Sequence, residues 1–126
     1  MRFFSVLAVL VLMLGACQSS EKWQYYEPND DGYVPPKGRV FQAAGFKINE
    51  GQQIRDFFDD FEEPMHAKYV GNEVIRWTYY VDYNSAQGKG KIVRYNELKN
   101  YKPGSLCNLT VEFYKTYVTD VWSDCK

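Results

Sequence analysis

The chain has 126 residues, one domain's worth, and its 15 Lys+Arg against 16 Asp+Glu leave a net charge of −1. That balance offers no basic excess for phosphate contacts and excludes nucleic acid as a partner. Aromatic residues make up 17% of the chain, and beyond residue 16 they outnumber Val, Ile, Leu and Met together. β-Branched and aromatic side chains suit strands, and helical bundles are rich in leucine, so the composition argues against an all-α protein and against a disordered one.

Residues 1–16, MRFFSVLAVLVLMLGA, combine a positive Arg2 with an apolar stretch from Phe3 to Leu14 broken only by Ser5. The stretch is shorter than the roughly 20 residues a spanning helix needs, and it has the length of a secretory leader. Leu14-Gly15-Ala16-Cys17 resembles a bacterial lipobox. The resemblance implies cleavage before Cys17 and acylation of that cysteine, which anchors the chain to a membrane. Gln18 follows, not Asp, a pattern that permits transport to the outer membrane, with retention at the inner membrane as the alternative.

Residues 17–38 form the acylated cysteine and a tether, rich in proline around Pro35-Pro36 and without helical or strand period. Its aromatics Trp23, Tyr25, Tyr26 and Tyr33 either meet the membrane interface or a partner, or pack back on the domain. The domain proper is 39–126. Val40, Phe41, Ala44 and Ile48 stand at rough helical spacing and predict a short first helix over 39–48, interrupted at Gly45. Ile54, Phe57, Phe58 and Phe61 fall at i, i+3, i+4 and i+7 and predict a second helix over 49–64, with Asn49 as its cap and Pro64 as its stop. The acids Asp56, Asp59, Asp60, Glu62 and Glu63 lie off that stripe. Acids at a helix C-terminus are unfavourable, so this end either frays or meets a basic partner.

Residues 73–83 alternate strictly, with Ile75, Trp77, Tyr79, Val81 and Tyr83 on one face and Arg76, Thr78, Tyr80 and Asp82 on the other, the mark of a half-buried strand. A loop over 84–90, a short returning strand over 91–95 and a second loop over 96–105 follow. The last segment reads as a hairpin. With a three-residue loop at 115–117, Val111 faces Val121, Leu109 faces Ser123 and Cys107 faces Cys125. Val118 and Trp122 lie on the opposite face from Val121 in this register, which admits a bulge. With Cys17 used by the anchor, two cysteines left over in an oxidising compartment predict one disulfide, Cys107–Cys125, stabilising by roughly 3 kcal/mol through loop closure.

The order of these segments resembles the small outer-membrane lipoproteins of the BamE/SmpA/OmlA type and their relative OsmE, over about residues 39–124. Gly51 stands thirteen residues before Pro64 with the apolar Phe57 between them, Trp77-Thr78-Tyr79 matches the family's aromatic strand, and Leu109, Val111 and Phe113 match the strand before its final turn. Glu62 departs from the family's second glycine, and the stretch 84–105 is longer than the family's. The resemblance implies an α+β fold in which two N-terminal helices pack on one face of a three- to four-stranded antiparallel sheet, similar to the repeat of the β-lactamase inhibitor protein. It also implies a non-enzymatic role in assembling outer-membrane proteins or maintaining the envelope, with the β-barrel assembly machinery among the partners.

No phosphate-binding glycine loop, nucleophile–base pair or metal-ligand set stands out, and the single His66 cannot complete a zinc site, so neither catalysis nor a cofactor is expected. An inhibitor or immunity-type module using an exposed sheet face is the alternative, as is a lipoprotein of a secretion or mobile-element system. Tyr80, Tyr114, Tyr117 and Trp122 are the expected partner contacts, because aromatic residues dominate interface hot spots. Palmitate labelling of cells expressing the chain tests the anchor: label is expected on the wild type and lost in Cys17→Ser, and label persisting in the variant refutes acylation at Cys17.

Overall fold

The computed structural model describes residues 27–28 and 31–126. The leader, Cys17 and the tether aromatics Trp23, Tyr25 and Tyr26 lie outside the described residues. The elements in chain order are β1 (Val40–Ala43), β2 (Phe46–Asn49), α1 (Ile54–Phe61), β3 (His66–Gly71), β4 (Val74–Asn84), β5 (Lys89–Val93), a 3₁₀-helix (Tyr95–Asn100), β6 (Cys107–Tyr114) and β7 (Tyr117–Ser123). The chain is mostly β, 47% strand against 14% helix, which overturns the expected pair of N-terminal helices on a smaller sheet.

The expected first helix is a β-hairpin. β1 and β2 pair antiparallel, with Phe41 opposite Ile48 and Ala43 opposite Phe46, around a tight turn at Ala44 and Gly45. Both turn residues have positive φ, 54° and 83°, which suits the right-handed twist of a two-residue hairpin and closes the helical route at that point. Arg39 holds the hairpin's open end, its Nε 2.8 Å from Glu50 Oε2 and its Nη2 3.1 Å from the Thr119 carbonyl.

β3, β4, β6 and β7 form an antiparallel sheet in that order, and β5 joins it by pairing with β4. β4 has eleven residues, too long for one neighbour on that side: β3 pairs with its first half and β5 with its second. The sheet's inner face carries Ile75, Trp77, Tyr79 and Val81 from β4, Leu109, Val111 and Phe113 from β6, and Val118 and Val121 from β7. The hairpin β1–β2 and α1 cover this face together. Phe57 of α1 is fully buried, with ring centroids 5.4 Å from Phe113, 5.9 Å from Tyr79 and 4.3 Å from Phe61. Phe58 meets Trp77 edge-on, and Phe61 bridges α1 to Phe46 of the hairpin. A fully buried ring such as Phe57 contributes about 1.5–3 kcal/mol by burial, the half-buried Phe58 and Phe61 less, and edge-to-face geometry adds to that.

The C-terminal hairpin keeps the expected register at its open end, with Leu109 opposite Ser123 and Val111 opposite Val121. Cys107 and Cys125 are disulfide-bonded there, with Cα atoms 5.1 Å apart. The turn differs from expectation. It has two residues, Lys115 and Thr116, both at positive φ, and a bulge beside Glu112 restores the register. The bulge turns Val118 onto the same face as Val121, so both are buried, while Trp122 faces outward. The lead-in to α1 clamps this turn: Ile54 N–H donates to the Thr116 carbonyl at 2.8 Å, and Val118 N–H to the Gln52 carbonyl at 2.9 Å. A left-handed β-branched Thr116 is costly, and these bonds over-determine it.

α1 is shorter than expected and starts at Ile54. Asn49 ends β2 and does not cap it; the N-cap is Gln53, with no side-chain capping bond. Its acidic C-terminus meets Arg94. The Arg94 guanidinium donates to the Phe61 carbonyl at 2.7 Å and the Glu63 carbonyl at 3.3 Å, and pairs with Glu62 at 3.0 Å. A cation there satisfies orphan carbonyls and opposes the helix dipole. Tyr79 OH donates to the Glu62 carbonyl at 2.7 Å.

The two hairpin tips meet at Gly45 and Gly90. A Cβ on Gly45 would strike the Gly90 amide, and one on Gly90 would strike the Ala44 carbonyl, Val81 and Phe46. Gly90→Ala is therefore expected to destabilise by about 1–3 kcal/mol, the usual cost of overpacking, as a lower midpoint in urea unfolding. An unchanged midpoint would mean that the two tips do not touch.

Candidate functional site

Alternation along β4 puts Arg76, Thr78, Tyr80 and Asp82 on the outer face, which neither α1 nor β1–β2 covers. The strand register then aligns outer residues in rows across the sheet. One row runs Trp122, Thr110, Thr78, His66 over β7, β6, β4 and β3. Its four strands span about 14 Å at the usual spacing. The two threonines are short, whereas Trp122 at one end and His66 with Tyr80 at the other stand tall. That difference in height produces a trough of about 490 Å³ with Asn108, Ser123 and Asp124 on its rim.

The rows on either side bound the trough. On one side lie Lys68, Arg76, Glu112 and Asp120, paired across the strands. Arg76 Nε is 2.9 Å from Glu112 Oε1, and its guanidinium lies 5.5 Å from the Trp122 ring centroid. This cation–π contact braces an indole that is 41% exposed. On the other side, Asn108 sits opposite Tyr80. Asp124 accepts from the Asn108 backbone N–H at 2.6 Å and from its Nδ2 at 3.0 Å. The Asn108 backbone N–H holds the Asp124 carboxyl below the usual aspartate range. His66 Nε2 is 2.9 Å from Tyr80 OH and fixes the tyrosine's tilt.

A second depression of about 410 Å³ adjoins the first across Tyr80 and Asn108, formed where residues 98–106 fold over the outer face. Val93 lies opposite Tyr80 and faces outward, yet is 2% exposed, so this corner of the sheet is roofed. Tyr101 OH donates to Asp82 at 3.2 Å, and Arg94 N–H donates to Glu97 Oε1 at 3.0 Å at the start of the 3₁₀-helix. The stretch expected to be a loop over 96–105 is thus a cap with its own short helix.

The expected contact residues separate into two groups. Tyr80 and Trp122 line the trough. Tyr114 and Tyr117 sit at the opposite end of β6–β7 and hold residue Tyr33, with ring centroids 5.5 and 6.0 Å away. Lys115 pairs there with Asp31 at 2.8 Å, and Pro35 is buried. Tyr33 thus packs back on the domain, and its partners are occupied by the chain itself. Cys107 and Cys125 approach Asp124 as a metal-binding trio would, but their sulfurs are bonded to each other. Thr78, Asn108, Thr110, Asp124 and Arg76 were legible as outer residues from alternation and hairpin register. His66 was not, because β3 gives no alternating signal.

The arrangement, short hydroxyl and amide groups on a floor between two aromatic walls, suits recognition. Depressed carboxyls give its stability a direction with pH. Asp124, Glu97 (through Arg94 N–H), Glu50 (through Arg39) and Asp31 (through Lys115) are all lowered in the folded state. Their contribution is present above the unfolded carboxylate range and is lost as pH falls through the folded values. Asp124→Asn is expected to lower Tm at pH 7, with the gap from wild type closing below about pH 3.9; a gap that persists in acid would contradict this. Comparison of the chain with protein families, curated proteins and solved structures gives no match.

Proposed function

We propose that the chain is a lipid-anchored, non-catalytic binding module of the bacterial envelope, working through the outer face of its five-stranded sheet. The observation that carries this is the outer face itself: one sheet face is sealed by α1 and a hairpin, while the other keeps an exposed Trp122 and a half-buried Tyr80 braced by Arg76 and His66. Aromatic anchors held in place before binding lose little entropy on contact, which is the pattern of binding hot spots. The leader and Cys17 supply the envelope location, and residues 31–35 are pinned near the β6–β7 turn, at the end of the sheet away from the trough. Support of outer-membrane protein assembly is one form of this role, but its two-helix structural basis is absent, so the proposal rests on the face alone.

Placing a photoreactive residue at Trp122 or Tyr80 in cells, with Asp60 on the far side of α1 as control, tests it. Discrete crosslinked envelope species are expected from 122 and 80 and not from 60. Equal yields from all three positions would remove the outer face as the working surface.

A further inference from the structure

Resting on the outer face as the working surface, the chemistry of the trough points to its ligand: we infer that it takes a neutral saccharide ring of an envelope glycan. Neither Lys nor Arg lines the trough, so it has no cation with which to hold a phosphate or a carboxylate. Its one carboxylate, Asp124, already accepts two hydrogen bonds from Asn108, and its one imidazole is engaged with Tyr80. A divalent ion finds too few free ligands. An apolar ligand would strip water from the Thr78 and Thr110 hydroxyls, whose one mutual hydrogen bond leaves the rest of their donor and acceptor capacity unmet, which is costly.

What fits is a ligand that is apolar on one surface and hydroxylated around its edge. A pyranose ring is such a ligand. Its C–H face packs on the exposed indole of Trp122, whose orientation Arg76 fixes from outside the trough. The ring's hydroxyls meet the Thr78 and Thr110 hydroxyls, which lie 3.5 Å apart on the floor, and the rim carboxylate of Asp124. The adjoining depression beneath residues 98–106 offers Tyr101 as a further aromatic, so a second sugar can follow the first past Tyr80.

The test titrates the full chain, in a detergent without a sugar headgroup, with maltotriose, cellotriose and chitotriose while following tryptophan emission. Saturable change is expected with at least one of them. Trp122→Ala is expected to weaken that binding at least about tenfold, as loss of an aromatic contact does. The isosteric pair Thr78→Val with Thr110→Val keeps the floor's shape and removes its hydroxyls; it is expected to weaken binding comparably with an unchanged Tm. If no sugar binds while the crosslinker at 122 still captures a discrete protein in cells, the saccharide inference is overturned and the outer face stands as a protein site. If neither occurs, the outer face itself is not the working surface. Binding unaffected by both sets of substitutions would also overturn the inference.

Discussion

The structure depends on one packing constraint: the aromatic stripe of α1 has a single place to go. Phe57 and Ile54 cannot stay in water on an eight-residue helix that lacks a side-chain N-cap, because such a helix is not stable alone. They bury against Trp77, Tyr79 and Phe113, and that commits the inner face of the sheet. Once the inner face is committed, period-two alternation sends Thr78, Tyr80, Thr110 and Trp122 to the other side. The open face is thus a consequence of how the core closes.

The supports of α1 follow from its weakness. Its first amide is taken by the Thr116 carbonyl of the β6–β7 turn, and its last carbonyls by Arg94 from the end of β5. Both ends are therefore satisfied by residues distant in sequence, and the helix, the C-terminal hairpin and the 3₁₀ cap become one cooperative unit. Glu62 carries the cost of this arrangement. It ends the helix at φ 59° and ψ −155°, a region nearly reserved for glycine, and it stays there with its carbonyl held by Tyr79 and its carboxylate by Arg94. The disulfide, at the opposite end of β6, ties down the rim of the trough where Asp124 meets Asn108.

Legibility from sequence tracked how regular the physical signal is. β4 and the helical stripe of α1 have complete periods and were readable; the register at the hairpin's open end followed from a three-residue loop, whose extra residue the structure places in the bulge beside Glu112. The segment 40–49 was misread because Val40, Phe41, Ala44 and Ile48 match a helical period by coincidence, while the true signal is a turn with Ala44 at φ 54°, a conformation alanine rarely announces. β3 was invisible. It is an edge strand whose Tyr69 and Val70 are exposed and whose tight turn uses Asn72 and Glu73 in place of a glycine pair. Arg94, which completes α1, carried no local signal, because its partners lie more than thirty residues away. For the site, sequence supplied Tyr80 and Trp122, but only the three-dimensional register shows that two threonines between them create the trough and that Tyr114 and Tyr117 serve the chain's own Tyr33.

The most direct test of this account compares one aromatic from each face by urea unfolding. Removing Phe57 (Phe57→Ala) should cost about 3–5 kcal/mol, as for a fully buried ring, while Trp122→Ala should cost about 1 kcal/mol or less, the worth of its exposed cation–π contact with Arg76. Equal losses at the two positions, or the larger loss at Trp122, would contradict the division into a sealed inner face and a free outer one.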